Sequence, residues 1–284
     1  MSNYFVIGNP IDHSLSPLIH NYWFKKYKIQ SEYEKKKLEE NDLKNFINEM
    51  KKNKNIDGAN VTVPFKKKII PFLDQLTEIS QKTLSVNTIY KENEKLIGHN
   101  TDAPAFTQTL LDLKDWRSGF NRPLRSLVIG AGGVTSSIIF AIQELNDVEG
   151  EYYIMNRTKE NAEDLIRTGL KEFKTKPKVL DWGDIPKNLD IIVNTTSVGL
   201  VKNENLNLDF ANYKNSKNTI FYDLIYNPRE TNFLIDAKER GNTVINGKMM
   251  FVLQAKKAFL HWTKIHVEID DEILRLLDQW LEFA

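Results

Sequence analysis

The chain has 284 residues, with 39 Lys plus Arg against 38 Asp plus Glu and a formal net charge of +1. That length suits two modest domains or one large one, and the balance of charge leaves no global field to gather nucleic acid or an anionic membrane surface. Zero cysteines exclude disulfides, thiolate zinc sites and a cysteine nucleophile, so metal chemistry is not expected and a reducing compartment is compatible.

The segment "MSNYFVIGNP" enters a strand-like run without a basic stretch followed by an apolar one. Nowhere do the roughly 18 consecutive apolar residues of a membrane span occur. A soluble, cytoplasmic protein is therefore expected. Tyr4 to Gly8 is β-rich and stops at Asn9-Pro10, and Ser16-Pro17 reads as N-cap and first position of a helix. A strand follows around Ser31 to Lys37, then a helix near Asp42 to Lys51 in which Leu43, Phe46, Ile47 and Met50 recur at helical spacing. "IDGANVTV" is a third strand, ended by Pro64, Phe65 and three lysines from Lys66. Val86 to Lys91 and Lys95 to Gly98 read as a hairpin about a polar turn at Glu92 to Glu94. Strands alternating with helices predict an α/β domain with a mainly parallel sheet.

Leu111 to Pro123, "LDLKDWRSGFNRP", breaks the pattern and reads as a linker or surface excursion. A second α/β series then starts. "LRSLVIGAGG" is a strand running into glycines, "VTSSIIFAIQEL" a helix, "EYYIMNRT" a strand and "KENAEDLIRTGL" a helix; "LDIIVNTTSVG" and "NTIFYDLIYN" are further apolar strands. Such successive crossovers predict a doubly wound, Rossmann-type sheet. Lys248 to Lys264 and Asp270 to Phe283 read as two amphipathic helices.

In "VIGAGG", Gly130, Ala131, Gly132 and Gly133 stand where a strand becomes a helix, so backbone amides and a helix N-terminus can face a pyrophosphate. Thr135 stands where the usual fingerprint has its third glycine, and the plainer alternative is a glycine turn that only shapes the fold. The next strand ends in Asn156, Arg157 and Thr158 rather than in the carboxylate that binds NAD ribose. A carboxylate would repel a 2′-phosphate, whereas an arginine fork with flanking amide and hydroxyl donors would hold it, and Lys159 adds a second cation. NADP is thus preferred over NAD; alternatively Thr158 only caps the following helix and Arg157 is solvated.

"GNPIDHSLSPLIHN", "GANVTVPFK", "VNT", "NTD", "GAGG", "NRT" and "YDLIY" occur in the order and spacing of the shikimate dehydrogenase family, over essentially the whole chain. The resemblance implies reversible hydride transfer between NADPH and the ring ketone of 3-dehydroshikimate. It places the acid/base group on Lys66 and its partner on Asp102. It assigns the substrate carboxylate to Ser14 and Ser16, the ring hydroxyls to Asn60, Thr62, Asn87 and Asn100, and further substrate positions to Tyr226 and Gln254. Bland alternatives are a turn at Ser14, a cap at Ser16 or Asp102, and turn chemistry at Asn87 and Asn100. His13, without a partner, reads as a loop residue.

The chain departs from the family pattern in having Ala103 after "NTD" and "NGKMM" where "NGLGM" is usual. Gly247 and Met249 thus fall at the nicotinamide, and Met249 can shift that ring or pack as a soft wall. The resemblance puts a substrate domain at residues 1–102 and 248–284 and an NADP domain at 103–247. A quinate or related cyclitol-acid dehydrogenase, and a non-catalytic NADP-binding protein, are the alternatives. Nothing in the sequence separates a monomer from a homodimer.

Overall fold

The computed structural model describes residues 2–113, 123–145, 149–170, 173–201, 203–214, 216 and 218–283. Most of the expected linker at Leu111 to Pro123 lies outside them. The chain divides into two compact units, Met1–Asp102 with Val252–Phe283, and Ala103–Phe251.

The first unit contains strands β1 (Ser2–Gly8), β2 (Ser31–Lys37), β3 (Ile56–Val61), β4 (Gln75–Leu76), β5 (Thr88–Glu92) and β6 (Lys95–His99), with helices α1 (Ser16–Lys26), α2 (Leu43–Lys52) and α3 (Glu78–Thr83). The sheet order is β2-β1-β3-β5-β6-β4. β1 runs parallel to β2 and β3, and β4 parallel to β6, while β5 is antiparallel to both β3 and β6. The antiparallel step is the hairpin, whose turn residues Asn93 and Glu94 take positive φ.

Helix α2 buries Leu43, Phe46, Ile47 and Met50 against Ile56, Val61 and Phe65, at about 1.5–3 kcal/mol for each fully buried side chain. On α1 the buried stripe is Ser16, Ile19, His20, Trp23 and Phe24. The helix-capping residue is Leu15 rather than Ser16, and it makes no side-chain cap bond. Ser14 Oγ instead accepts from the Ser16 N–H at 3.3 Å, so the turn is tied from two residues upstream.

The second unit holds α4 (Asp102–Leu111, from its second residue onward), β7 (Arg125–Ile129), α5 (Thr135–Glu144), β8 (Glu151–Met155), α6 (Lys159–Gly169), β9 (Lys178–Leu180), β10 (Ile191–Asn194), β11 (Ile220–Asp223), α7 (Asn232–Glu239) and β12 (Thr243–Ile245). Its sheet is parallel throughout, in the order β12-β11-β10-β7-β8-β9. Read from β7, that is the 3-2-1-4-5-6 order of a Rossmann fold, and the strand order reverses between β7 and β10.

Two C-terminal helices follow, α8 (Lys248–Thr263) and α9 (Asp271–Phe283). From Val252 onward the side chains of α8 are buried or half-buried. In the first unit it presents Phe259 and Trp262 to Tyr4, His20, Trp23 and Phe24, and the Trp262 indole N–H donates to the Ile89 carbonyl at 2.9 Å. Asp270 accepts from the Ile273 N–H at 2.9 Å, capping α9, and from the Tyr22 hydroxyl of α1. Among the described residues no helix is long and apolar enough to cross a membrane.

Candidate functional site

Strand β3 ends at Val61, and Thr62 continues its line beside Gly8. Phe65 then turns back: its N–H donates to the Thr62 carbonyl at 2.9 Å and its ring is buried with Ile69 in the core. That anchor orients the next residue. Lys66 Nζ lies 2.7 Å from Asp102 Oδ2, with side-chain exposures of only 12% and 8%. The neighbouring Lys68 instead pairs with exposed Glu40 on the surface.

The predicted polar groups of the first unit form a buried network. Tyr33 donates to Asn60 Oδ1 at 2.6 Å, and Asn60 Nδ2 donates to the Asn87 carbonyl at 3.0 Å and to Thr88 Oγ1 at 3.2 Å. Asn87 Nδ2 donates to Thr101 Oγ1 at 2.8 Å, while Asn87 Oδ1 accepts from the Thr101 N–H at 2.8 Å. The network therefore ends one residue before Asp102. Asn100 donates to the Ser85 carbonyl at 3.0 Å and is fully buried. Asn60, Asn87 and Asn100 are thus engaged in internal bonds. Tyr33, Thr88 and Thr101 belong to this network as well; Thr88 and Thr101 stand inside the "VNT" and "NTD" motifs, whereas no motif marks Tyr33.

Ser14 Oγ donates to Ser16 Oγ at 3.2 Å, setting two hydroxyls side by side at the head of α1. Burial holds the Tyr33 phenol far above its usual range, with the adjacent Ser16 hydroxyl opposing, so it remains a neutral donor. Gln254 lies on α8 within the first unit. Ala103 is buried in the first turn of α4, a helical position where a methyl group is accommodated.

In the second unit the glycine turn sits at the strand-order reversal. Gly130 has φ +115°, and a Cβ there would lie 2.5 Å from Thr195 Oγ1. Thr135, in place of the third glycine, is hydrogen-bonded through its hydroxyl to Thr195 at 2.9 Å, so the start of α5 is tied to the end of β10. Beside Gly132 there is open space, as the approach of a pyrophosphate to backbone amides requires. Asn156, Arg157 and Thr158 border one pocket of about 370 Å³, with Thr196, Ser197 and Val198 on another side. Lys159 does not line it; its ammonium pairs with Asp181 at 2.6 Å. These donors suit a phosphorylated dinucleotide, with Arg157 as the cation at the pocket.

Tyr226 stacks on Phe251 at 4.5 Å. A Cβ at Gly247 would lie 2.0 Å from the Leu224 carbonyl oxygen, so packing alone demands glycine there. Met249 lies in the first turn of α8. Asp223, fully buried, accepts from Asn194 Nδ2 at 3.1 Å, the Ile225 N–H at 3.0 Å and Thr231 Oγ1 at 2.6 Å. Burial pushes its carboxyl up to about 6. No group of three or more metal-ligating side chains occurs among the described residues.

Residues 6–89 match the family described as the shikimate dehydrogenase substrate binding domain. A shikimate dehydrogenase (NADP(+)) of Pelagibacter ubique is 46% identical over 275 residues, covering 97% of this chain and 98% of that protein. A crystal structure of a shikimate dehydrogenase in complex with NADP+ superposes with a TM-score of 0.85 at 30% identity, over 98% of this chain and 96% of that one. The shikimate 5-dehydrogenase of Thermus thermophilus, solved with NADP(H) and shikimate, gives 0.80 at 27% identity, over 99% and 100%. An identity of 46%, sustained over nearly the full length of both chains, means that this protein belongs to the shikimate dehydrogenase family.

Proposed function

We infer that the chain is an NADP-dependent shikimate dehydrogenase, reducing 3-dehydroshikimate reversibly to shikimate as a step of aromatic amino-acid biosynthesis. The observation that carries the reading is the Lys66–Asp102 pair, a cation and a carboxylate 2.7 Å apart and nearly sealed from water. NADP, when bound, supplies or accepts the hydride. Lys66 stabilises the developing alkoxide and delivers its proton. Asp102 holds the Lys66 ammonium in place and accepts from a substrate hydroxyl. The paired hydroxyls of Ser14 and Ser16 hold the carboxylate, Thr62 takes a ring hydroxyl, and Asn60, Asn87 and the fully buried Asn100 keep that surface in register. Tyr226 and Gln254 complete the substrate contacts.

The first unit is the substrate unit and the second the cofactor unit, with Gly130 to Gly133 at the pyrophosphate and Asn156, Arg157 and Thr158 at the 2′-phosphate. Lys159 makes no direct contact, because Asp181 holds its ammonium and offsets its charge. Gly247 and Met249 border the nicotinamide. The absence of cysteine fits a cytoplasmic enzyme.

The test is to supply purified protein with shikimate or quinate and with NADP or NAD, and to follow reduced nicotinamide by absorbance. Turnover of shikimate with NADP is expected. Turnover of quinate alone, or cofactor binding without turnover on either acid, would overturn the reading.

A further inference from the structure

The end of β9 carries an aromatic side chain that the motifs leave unassigned. The β8–β9 register pairs Met155 with Leu180, so Asn156-Arg157 and Asp181-Trp182 leave the sheet as neighbouring segments. Their side chains divide the work. Asp181 takes the Lys159 ammonium, while Arg157 makes no ion pair among the described residues. Trp182 is half-buried: with Leu180 and Ile185 it packs against the core cluster that includes Tyr153, Met155 and Leu189, and it borders the same pocket as Arg157. Thr196 to Val198 and Asn205 to Asn207 form the rest of the wall.

A pocket of about 370 Å³ with an indole beside an unpaired guanidinium has two kinds of recognition in it. The fork takes a phosphate, and the flat π surface takes a planar heterocycle. We propose that Trp182 is the base-stacking wall of the cofactor site, receiving the adenine ring of NADP on its indole face while Arg157 takes the 2′-phosphate. The proposal rests on the NADP reading of this unit. It separates two terms that the strand-end motif merges: Arg157 discriminates NADP from NAD, whereas Trp182 strengthens both alike, because both carry adenine.

The full chain with Trp182→Ala, Trp182→Leu, Trp182→Phe or Arg157→Ala would be titrated calorimetrically with NADP, NAD and adenosine 2′-phosphate. Trp182→Ala and Trp182→Leu are expected to weaken all three by about tenfold, the scale of one base–aromatic stack. Trp182→Phe restores most of the affinity, and shikimate KM stays unchanged. Arg157→Ala weakens only the two ligands with a 2′-phosphate. If the Leu variant, which keeps apolar bulk against the core, binds all three as wild type does, Trp182 is packing only and the proposal falls; this arm also decides the matter should the Ala variant not fold. A selective Arg157→Ala loss alongside that result leaves the cofactor reading standing. If Arg157→Ala binds all three ligands as wild type does, the 2′-phosphate assignment fails independently of Trp182.

Discussion

Lys66 Nζ and Asp102 Oδ2 are 2.7 Å apart, and the two side chains come from a turn after β3 and from the first residue of α4. Removing either strands the other where water barely reaches. Lys66→Ala is expected to lower kcat by about 10²–10⁴ with little change in shikimate KM, because the proton source is lost while the gripping groups stay. Steady-state kinetics in the oxidative direction measures this, and a near-normal kcat removes Lys66 from the acid/base role. Asp102→Asn leaves a mostly buried ammonium without its counter-charge, and urea titration should show a loss of about 3 kcal/mol.

The bond between Asn87 and Thr101 holds the Asp102 turn from behind. Thr101→Val removes the hydroxyl that accepts from Asn87 Nδ2 and leaves that buried amide donor short of a partner, at a cost of about 1–3 kcal/mol. The expected result is a drop in both melting temperature and kcat, with Thr101→Ser restoring both. A Val variant with wild-type kcat would show that Asp102 is positioned without this network.

His20 is fully buried and stacked on Tyr33 at 4.4 Å, and neither ring nitrogen has a hydrogen-bond partner among the described residues. Burial pulls its pKa down to about 3. The same happens at His99, where His261 and Lys257 add to the effect of burial. A base depressed in the folded state gives stability that is complete above its unfolded pKa of about 6.5 and is lost as pH falls toward about 3. By pH 5 the loss is about 2 kcal/mol for each ring. In His20→Phe the decline between pH 7.5 and pH 5 should shrink by about that amount, as read by denaturant unfolding at the two values. An unchanged decline would mean that His20 does not stay neutral in the fold.

Asp223 acts with the opposite sign. Its carboxyl is raised by burial, which outweighs the bonds from Thr231, Ile225 and Asn194. A raised acid gives stability that is complete below its unfolded pKa and is lost as pH climbs through the folded value of about 6. The difference in unfolding free energy between wild type and Asp223→Asn should therefore shift by about 2.3 kcal/mol, against the wild type, between pH 4 and pH 7. A pH-independent difference would show that the carboxyl titrates at its ordinary value.

What could be read from residues alone was the part governed by local periodicity and strand-end chemistry. The α2 stripe, the hairpin and the Gly130 turn are visible because their spacing is set within a few residues. Strands β4, β9 and β12, only two or three residues long, have no alternation to detect. The partners of Tyr33, Thr101 and Thr195 became visible only in three dimensions, since they lie far away in sequence. Lys159 reads as a phosphate ligand in sequence, yet Asp181 of the next strand end reaches it first. Gly247 reads as a place for close cofactor approach, and the Leu224 carbonyl supplies a separate reason for the same residue.

The first unit is discontinuous, and its aromatic centre needs Phe259 and Trp262 from α8 beside His20, Trp23 and Phe24 from α1. On the ribosome, where domains fold as units while the chain emerges, the segment made first is therefore the last to be finished. The Rossmann unit is wholly synthesised while the first 102 residues still lack Val252–Phe283. During that interval Tyr4, His20, Trp23 and Phe24 are without the α8 rings that they meet in the finished unit.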